Sequence, residues 1–217
     1  SPVPAGGLFF DGGADHDALR IVGSGLQAAY TPDVTLPGSG VVSIGGGAIS
    51  FADLEPIDYD VVGGSLTLNL TGADDVVEIA ESTLTDGLTA ALQISGSSGG
   101  VPFENARVRG SAILIDTTAG GGDDILTIYG ADNAHTNTSL LITTGAEAGD
   151  VVNVNGTATF SGPVTIHAPT VKLNAPITNT IAGTATTVNV TSLGQIQDGI
   201  DVAAPGGTVK VAAGTYA

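Results

Sequence analysis

The feature that most constrains this chain is a short-range alternation of apolar and polar residues, interrupted repeatedly by glycine, proline, asparagine or aspartate. The alternation is clearest at Leu66, Leu68 and Leu70, and it returns near the C-terminus at Val209 and Val211. A period of two places every second side chain on one face of a β-strand, and the interrupting residues favour tight turns. The 33 glycines and the aromatic content of 4% also favour short strands over helices. The sequence therefore predicts an all-β fold.

Strand patterns become shorter and more closely spaced after residue 156. They read TATF, PVTIH, TVKLN, ITNTI and TTVNV, and a corner containing Pro169 separates the second from the third. Short strands joined by tight corners are typical of consecutive sides of a β-solenoid, so we predict a solenoid-like or parallel β-helix-like run in the C-terminal third. A meander of hairpins is the alternative interpretation.

Charge is distributed unevenly along the chain. Residues 1–150 hold 20 acidic residues and three arginines, whereas residues 151–217 hold two acidic residues and two lysines. From charge and strand spacing we predict three segments: an N-terminal β-module at 1–62, an acidic β-region at 63–155, and solenoid-like strands with a β-helix entry at 156–217. The net charge of −17 excludes nucleic acid and anionic lipid as expected partners. No apolar run approaches the roughly 18 residues that a membrane helix requires, so we expect no membrane insertion.

An aspartate that leads directly into a strand pattern recurs four times. Asp17, Asp75, Asp124 and Asp150 each precede two apolar residues, one variable residue and a further apolar residue. The spacings between the four aspartates are irregular. We therefore interpret the pattern as a recurrent way of starting a strand and not as a repeat of fixed length.

Two glycine-rich turns, at residues 12–19 and 119–126, resemble the nonapeptide calcium repeat GGxGxDxU, and each departs from it at one glycine. The resemblance implies Ca²⁺ as a ligand, since calcium prefers carboxylate and carbonyl oxygens. The alternative is that these aspartates accept backbone N–H groups within the turns and hold no ion. The candidate ligands are Asp15, Asp17, Asp123 and Asp124.

One stretch, residues 193–204, has helical periodicity. Leu193, Ile196, Ile200 and Ala203 would share one face, Ser192 can cap the start, and a Pro-Gly-Gly sequence ends the pattern. We predict one short capping helix here, with a strand immediately after it.

The sequence IQDGIDVAAPGGTVKVAAGTY around this helix resembles the start of right-handed parallel β-helix domains, where an amphipathic helix caps the first coil. In that family an Asp commonly stands where this chain has Gly207. The resemblance implies that a β-helix begins here, and we expect the chain to be a piece of a longer protein. Because an uncovered strand edge can pair with another chain, we also predict a self-assembly strand. Its residues are Thr208, Val209, Lys210, Val211 and Tyr216.

The N-terminal sequences FFDGGADHDALRIVGSG and VVSIGGGAISFADLEPID are similar to modules of very large repetitive surface proteins and adhesins of environmental bacteria. The resemblance implies an extracellular or cell-surface location and a structural or adhesive role in filaments or matrix. The expected partners are further copies of the chain in a homo-polymer, neighbouring modules of the same parent protein, and extracellular glycan or matrix.

No combination of residues predicts catalysis. The chain has no cysteine and no GxSxG sequence, and its glycine-rich stretches lack the lysine of a phosphate-binding loop. His16, His135 and His167 share no metal-like spacing and are expected in turns or on the surface. We predict that the chain is not an enzyme; the alternative is a glycan-binding or polysaccharide-degrading β-helix domain.

Overall fold

The structure is a computed structural model that describes residues 3–4 and 6–216. The N-terminal strands are separated by tight turns, and the glycine-rich stretch at Gly45 and Gly46 connects two antiparallel strands, with both residues at positive φ. The first six strands are β1 (Leu8–Asp11), β2 (Leu19–Ser24), β3 (Gln27–Pro32), β4 (Gly40–Ile44), β5 (Gly47–Ala52) and β6 (Ile57–Val62).

The middle of the chain contains seven strands and a short 3₁₀ helix at Asn133–His135. The strands are β7 (Ser65–Asn69), β8 (Val76–Thr83), β9 (Ala90–Ser98), β10 (Val101–Pro102), β11 (Ala106–Arg109), β12 (Ala112–Asp116) and β13 (Ile125–Ile128).

The remaining strands are mostly shorter, as the sequence predicts, and they are interrupted by one helix, α1 (Ile196–Val202). They are β14 (Ser139–Thr143), β15 (Val151–Val154), β16 (Ala158–Thr159), β17 (Val164–His167), β18 (Thr170–Leu173), β19 (Ile177–Thr178), β20 (Ile181–Gly183), β21 (Ala185–Val190) and β22 (Ala203–Val211). The predicted all-β fold is confirmed.

The strands form two large sheets and one small one. The first sheet has the order β1-β5-β4-β3-β7-β12-β14-β17-β20, and the second has the order β2-β6-β11-β9-β8-β13-β15-β18-β21-β22, with β10 paired to β9. The small sheet pairs β16 with β19. From β7 in the first sheet and β8 in the second, every following pair of neighbours is parallel. Parallel pairing therefore begins well before residue 156, where the sequence pattern first indicated it.

Apolar side chains stack in register along these parallel strands. In the first sheet Leu66, Ile113, Leu140, Val164 and Ile181 follow one another as direct neighbours. All five are buried, and burying a side chain of this size contributes about 1.5–3 kcal/mol. Parallel neighbours cannot be joined by a hairpin, and here the chain reaches the next strand by way of the other large sheet.

One hydrophobic cluster extends from Val3 to Val202 and includes residues of all three segments predicted at 1–62, 63–155 and 156–217. The division of the chain into those three segments stays a prediction. Among the described residues, no helix has the length and apolar character needed to cross a membrane.

The predicted helix at 193–204 is present but shorter. It begins after Gln195, whose side chain makes no capping hydrogen bond, so the prediction that Ser192 caps it is wrong. Two of the apolar residues predicted to share one face lie on the outside, since Leu193 is 75% exposed and Ile200 is 54% exposed.

The reason for this orientation is a close approach of the helix backbone to the second sheet. A Cβ at Gly199 would lie only 2.7 Å from Cγ2 of Val190, so only glycine fits there without a shift of that side chain. The helix buries Asp198, Gly199 and Val202. Because the side of α1 that carries the smaller side chains packs inward, the larger apolar side chains lie on the outside.

Candidate functional site

Three of the four strand-leading aspartates lie in one column along the second sheet. Asp75, Asp124 and Asp150 directly precede β8, β13 and β15, whose first residues are in register. All three aspartates are fully buried. Asp17 does not join them, because it lies before β2 at the far edge of the sheet. We call Asp75, Asp124 and Asp150 the aspartate column.

Carboxylates of the aspartate column accept backbone N–H groups at the start of the neighbouring strand. The N–H of Asp75 donates to Oδ1 of Asp124, and the N–H of Asp124 donates to Oδ1 of Asp150, each at 2.9 Å. The Thr117 hydroxyl donates to Oδ2 of Asp124. Within the described part of the chain, Oδ2 of Asp75 and Oδ2 of Asp150 are buried without a hydrogen-bond partner. The column therefore holds neighbouring strands together at the cost of buried, incompletely paired carboxylates.

Burial also changes the acidity of the column. Burial raises the pKa of Asp75 to about 6, against the opposing effect of hydrogen bonds from Ser98 and Gly99. Burial likewise raises the pKa of Asp124, and the negative charges of Asp150 and Glu147 add to that rise. Desolvation disfavours the charged form of a carboxyl group, and this is why burial shifts the pKa of both groups upward.

The calcium prediction concerned Asp123 and Asp124 in one turn. Asp123 is exposed, and its N–H donates to Oδ1 of Asp74 at 2.8 Å. Both carboxylate oxygens of Asp124 already accept protein donors. The carboxylate of Asp124 therefore accepts a backbone and a hydroxyl donor, as the alternative interpretation expects of these aspartates.

The other two predicted ligands, Asp15 and Asp17, lie in the turn between β1 and β2. In the second sheet β2 and β13 are five strand positions apart, or about 24 Å at the usual spacing of about 4.8 Å. The structure thus does not bring the two pairs together. Among residues 3–4 and 6–216, no group of three or more histidine, cysteine, aspartate or glutamate side chains is arranged to hold a metal. Calcium binding stays a prediction.

The predicted self-assembly strand is largely β22, the last strand of the second sheet. Residues 208–211 pair with residues 187–190 of β21, and no described strand pairs with the opposite edge of β22. Tyr216 lies beyond the strand, and its hydroxyl donates to the Ala212 carbonyl at 2.6 Å. Four of the five predicted residues, Thr208, Val209, Lys210 and Val211, therefore lie on a free strand edge, whereas Tyr216 folds back.

The C-terminal end of the core is covered by α1, which contacts β20, β21 and β22. Its outer side leaves Leu193, Ile196 and Ile200 exposed, and Val211 on β22 is 44% exposed. We call these four residues the C-terminal apolar end. The sequence pattern identified the three residues near the helix as one apolar face but could not reveal that this face points outward.

At the opposite end of the molecule, no described strand pairs with the outer edge of β1 or of β2. Phe9 on β1 is 70% exposed, and Val22 on β2 is 64% exposed. Close to these strands lies an apolar cleft of about 210 Å³. We call this cleft the N-terminal cleft; its apolar lining includes Leu8, Leu19, Ile21, Leu26, Ile44 and Ile49. The sequence did not predict this surface, because the alternation in β1 and β2 predicts strands without indicating that they lie at the edges of their sheets.

His135 was expected in a turn or on the surface, and that expectation is wrong about its exposure. The side chain is 1% exposed, and its Nδ1 accepts the Asn137 N–H at 2.9 Å. Its ring packs against Phe160 with the ring centroids 5.2 Å apart. Desolvation lowers the pKa of His135. The residue is therefore a buried group that packs against Phe160.

Comparison with known proteins finds no family model that matches the chain, and no curated protein or solved structure that matches it. The geometry of the aspartate column and of the two ends is therefore the basis on which a function can be proposed.

Proposed function

We propose that this chain is a structural or adhesive segment of a secreted or cell-surface bacterial protein, and that its stacked strands are the coils of a β-solenoid. The observation that carries the proposal is the in-register parallel stack, seen in the second sheet at Val77, Leu126, Val152, Val171 and Val188. In such a stack each coil contacts only its neighbours, and each added coil increases the length. That geometry suits a spacer or fibre.

The use of charged residues supports a structural role over an enzymatic one. The buried carboxylates of the aspartate column accept backbone N–H groups between coils. Asp60 pairs with Arg20 at 3.0 Å and with Arg109 at 3.2 Å across neighbouring strands. These groups are occupied in holding strands together, whereas general acid–base catalysis needs a carboxyl group that faces substrate.

The solenoid can be tested with introduced cysteine pairs, because the chain has no cysteine of its own. Leu141 and Thr165 are direct neighbours on parallel strands, at about 4.8 Å, which suits a disulfide. We expect L141C/T165C to cross-link under mild oxidation. The matched control is L114C/T165C, because Leu114 is one strand farther away, at about 9.6 Å, and should not cross-link. A hairpin meander would not give this difference.

The structural role can be tested by immunogold electron microscopy of intact cells with antibodies against the chain. We expect label on the cell surface or in the extracellular matrix, and label confined to the cytoplasm would contradict the proposal. Incubation with a panel of polysaccharides provides the second arm. Release of new reducing ends by the purified chain would favour the polysaccharide-degrading alternative.

A further inference from the structure

We infer that copies of this chain assemble head to tail, with the C-terminal apolar end of one copy docked on the N-terminal cleft of the next. The inference rests on the proposed structural function and names its partner, a second copy of the chain. Three independent properties of the two ends support it: strand direction, apolar shape and charge.

Strand direction allows the second sheet to continue across the contact. In that sheet, β2 is parallel to β6 and β11, and two antiparallel steps through β9 restore the same direction in β8 and in every strand to β22. A shift along the stack therefore places β22 beside β2 in parallel orientation. The first sheet has one strand fewer along the stack, and α1 contacts its last strand, β20, so α1 lies between β20 and the next copy. Free N–H and C=O groups on such edges are suited to pairing.

The apolar surfaces at the two ends differ in shape. The C-terminal end is a helix carrying outward Leu193, Ile196 and Ile200, and these are large side chains without cover in the described structure. The N-terminal end has an apolar cleft lined by residues such as Leu19 and Ile21. A projecting apolar surface and an apolar cleft bury each other's area when one copy follows another, and this burial favours association.

Charge favours this pairing over contact between like ends. Residues 1–62 carry eight acidic residues and one arginine, whereas residues 156–217 carry two acidic residues and two lysines. Two N-terminal ends would bring acidic surfaces together, whereas head-to-tail contact places an acidic end against a neutral one with Lys210 on its edge strand. Because a head-to-tail contact that does not close on itself can repeat, the expected product is an open filament.

The test uses variants that block one end each. Leu193→Lys with Ile200→Lys blocks the C-terminal apolar end, and Phe9→Lys with Val22→Lys blocks the N-terminal end. All four residues are more than half exposed, so the core is retained, and circular dichroism checks the fold. The matched control is Leu88→Lys, which changes an apolar residue that is 89% exposed and lies between β8 and β9, away from both ends.

Sedimentation velocity should show that the mass of the wild type and of the control increases with concentration, whereas each blocked variant alone stays monomeric. An equimolar mixture of the two blocked variants should form a one-to-one dimer, because one free end of each kind remains. Should the helix variant lose its fold, Val211→Lys on β22 takes its place.

Two results would overturn the inference. One is a wild type that remains monomeric up to about 1 mM, a concentration at which even a millimolar Kd would register. That result would mean that a neighbouring coil of the same parent protein, or another protein, covers the C-terminal apolar end. The other is self-association of either blocked variant alone. Neither affects the cysteine cross-link or the immunogold label, so failure of the inference can be distinguished from failure of the proposed function.

Discussion

Where successive strands of the second sheet begin, two chemically different kinds of hydrogen bond connect them. At these positions, the acidic region has Asp75, Asp124 and Asp150, each directly before its strand, and the C-terminal region has Pro169 and Thr186 in register with them. In the acidic region a side-chain carboxylate accepts an N–H at the start of the neighbouring strand. In the C-terminal region the Pro169 carbonyl accepts the N–H of Thr186 at 3.1 Å.

The difference follows the length of the coils. Along this column the chain takes 49 and 26 residues between the three aspartates, and only 17 between Pro169 and Thr186. A longer loop costs more closure entropy, and a carboxylate that accepts an N–H at the start of the neighbouring strand is an additional tie where the loops are long. Where the loop is short, a backbone N–H and the hydroxyl of Thr186 donate to the Pro169 carbonyl. Charge in the acidic region is thus a structural device as well as a surface property.

Removing a carboxylate from the column should have the largest effect. Asp124→Ala leaves the Asp75 N–H and the Thr117 hydroxyl without their acceptor, and we expect a loss of about 2 kcal/mol in the free energy of unfolding. The matched change in the C-terminal region is Thr186→Ala, whose hydroxyl is exposed and bonds to the Pro169 carbonyl at 2.9 Å, and it should cost about 0.5 kcal/mol or less. Urea denaturation measures both, and equal losses would remove the distinction between the two kinds of hydrogen bond.

Neutralising a carboxylate while keeping its shape should have a smaller effect, of opposite sign. Because burial raises the pKa of Asp75 from 3.8 to about 6, the charged group destabilises the fold at about pH 8, and protonation relieves this as the pH falls. Asp75→Asn should therefore be more stable than the wild type by about 1–1.5 kcal/mol at about pH 8, with the difference disappearing below about pH 4. Thermal melts across this range test it, and an advantage that does not change with pH would contradict the assignment.

The smallest effect is expected at His135, where the two regions meet. Desolvation lowers the pKa of His135, so the unfolded chain takes up a proton more readily, and this residue contributes a loss of stability as the pH falls below the ordinary histidine value. His135→Asn keeps an acceptor for the Asn137 N–H but removes the ring contact with Phe160, at a cost of about 0.5–1.5 kcal/mol at neutral pH. The variant should lose less stability than the wild type between about pH 7 and pH 5. An unchanged pH dependence would show that the histidine does not titrate with unfolding.

Local patterns predicted most of the strands correctly. Alternation at Leu66 and Leu68 and at Val209 and Val211 corresponds to β7 and β22, and the short patterns after residue 156 correspond to β16 through β21. The aspartates before β8, β13 and β15 were found as a shared pattern, but their stacking was not. Irregular spacing along the chain hides register, because loops of different length can return a strand to the same position.

The candidate surfaces depended still more on tertiary contacts. The helical pattern at 193–204 identified which side chains are apolar, but the direction of that face was decided by the close approach of Gly199 to Val190. The N-terminal cleft could not be predicted, because an edge strand and a central strand have the same alternation until the neighbours are known.

The sequence by itself determined that this chain is all-β, that its charge lies in the first two thirds, and that aspartates begin several of its strands. These are properties of composition and of a two-residue period, which act within a few residues. Only the tertiary structure decided that three aspartates form a buried column, that the first and last described strands of the second sheet run in the same direction, and that α1 turns its large apolar residues outward. Those features arise from contacts between residues distant in sequence, where packing and desolvation outweigh local preference.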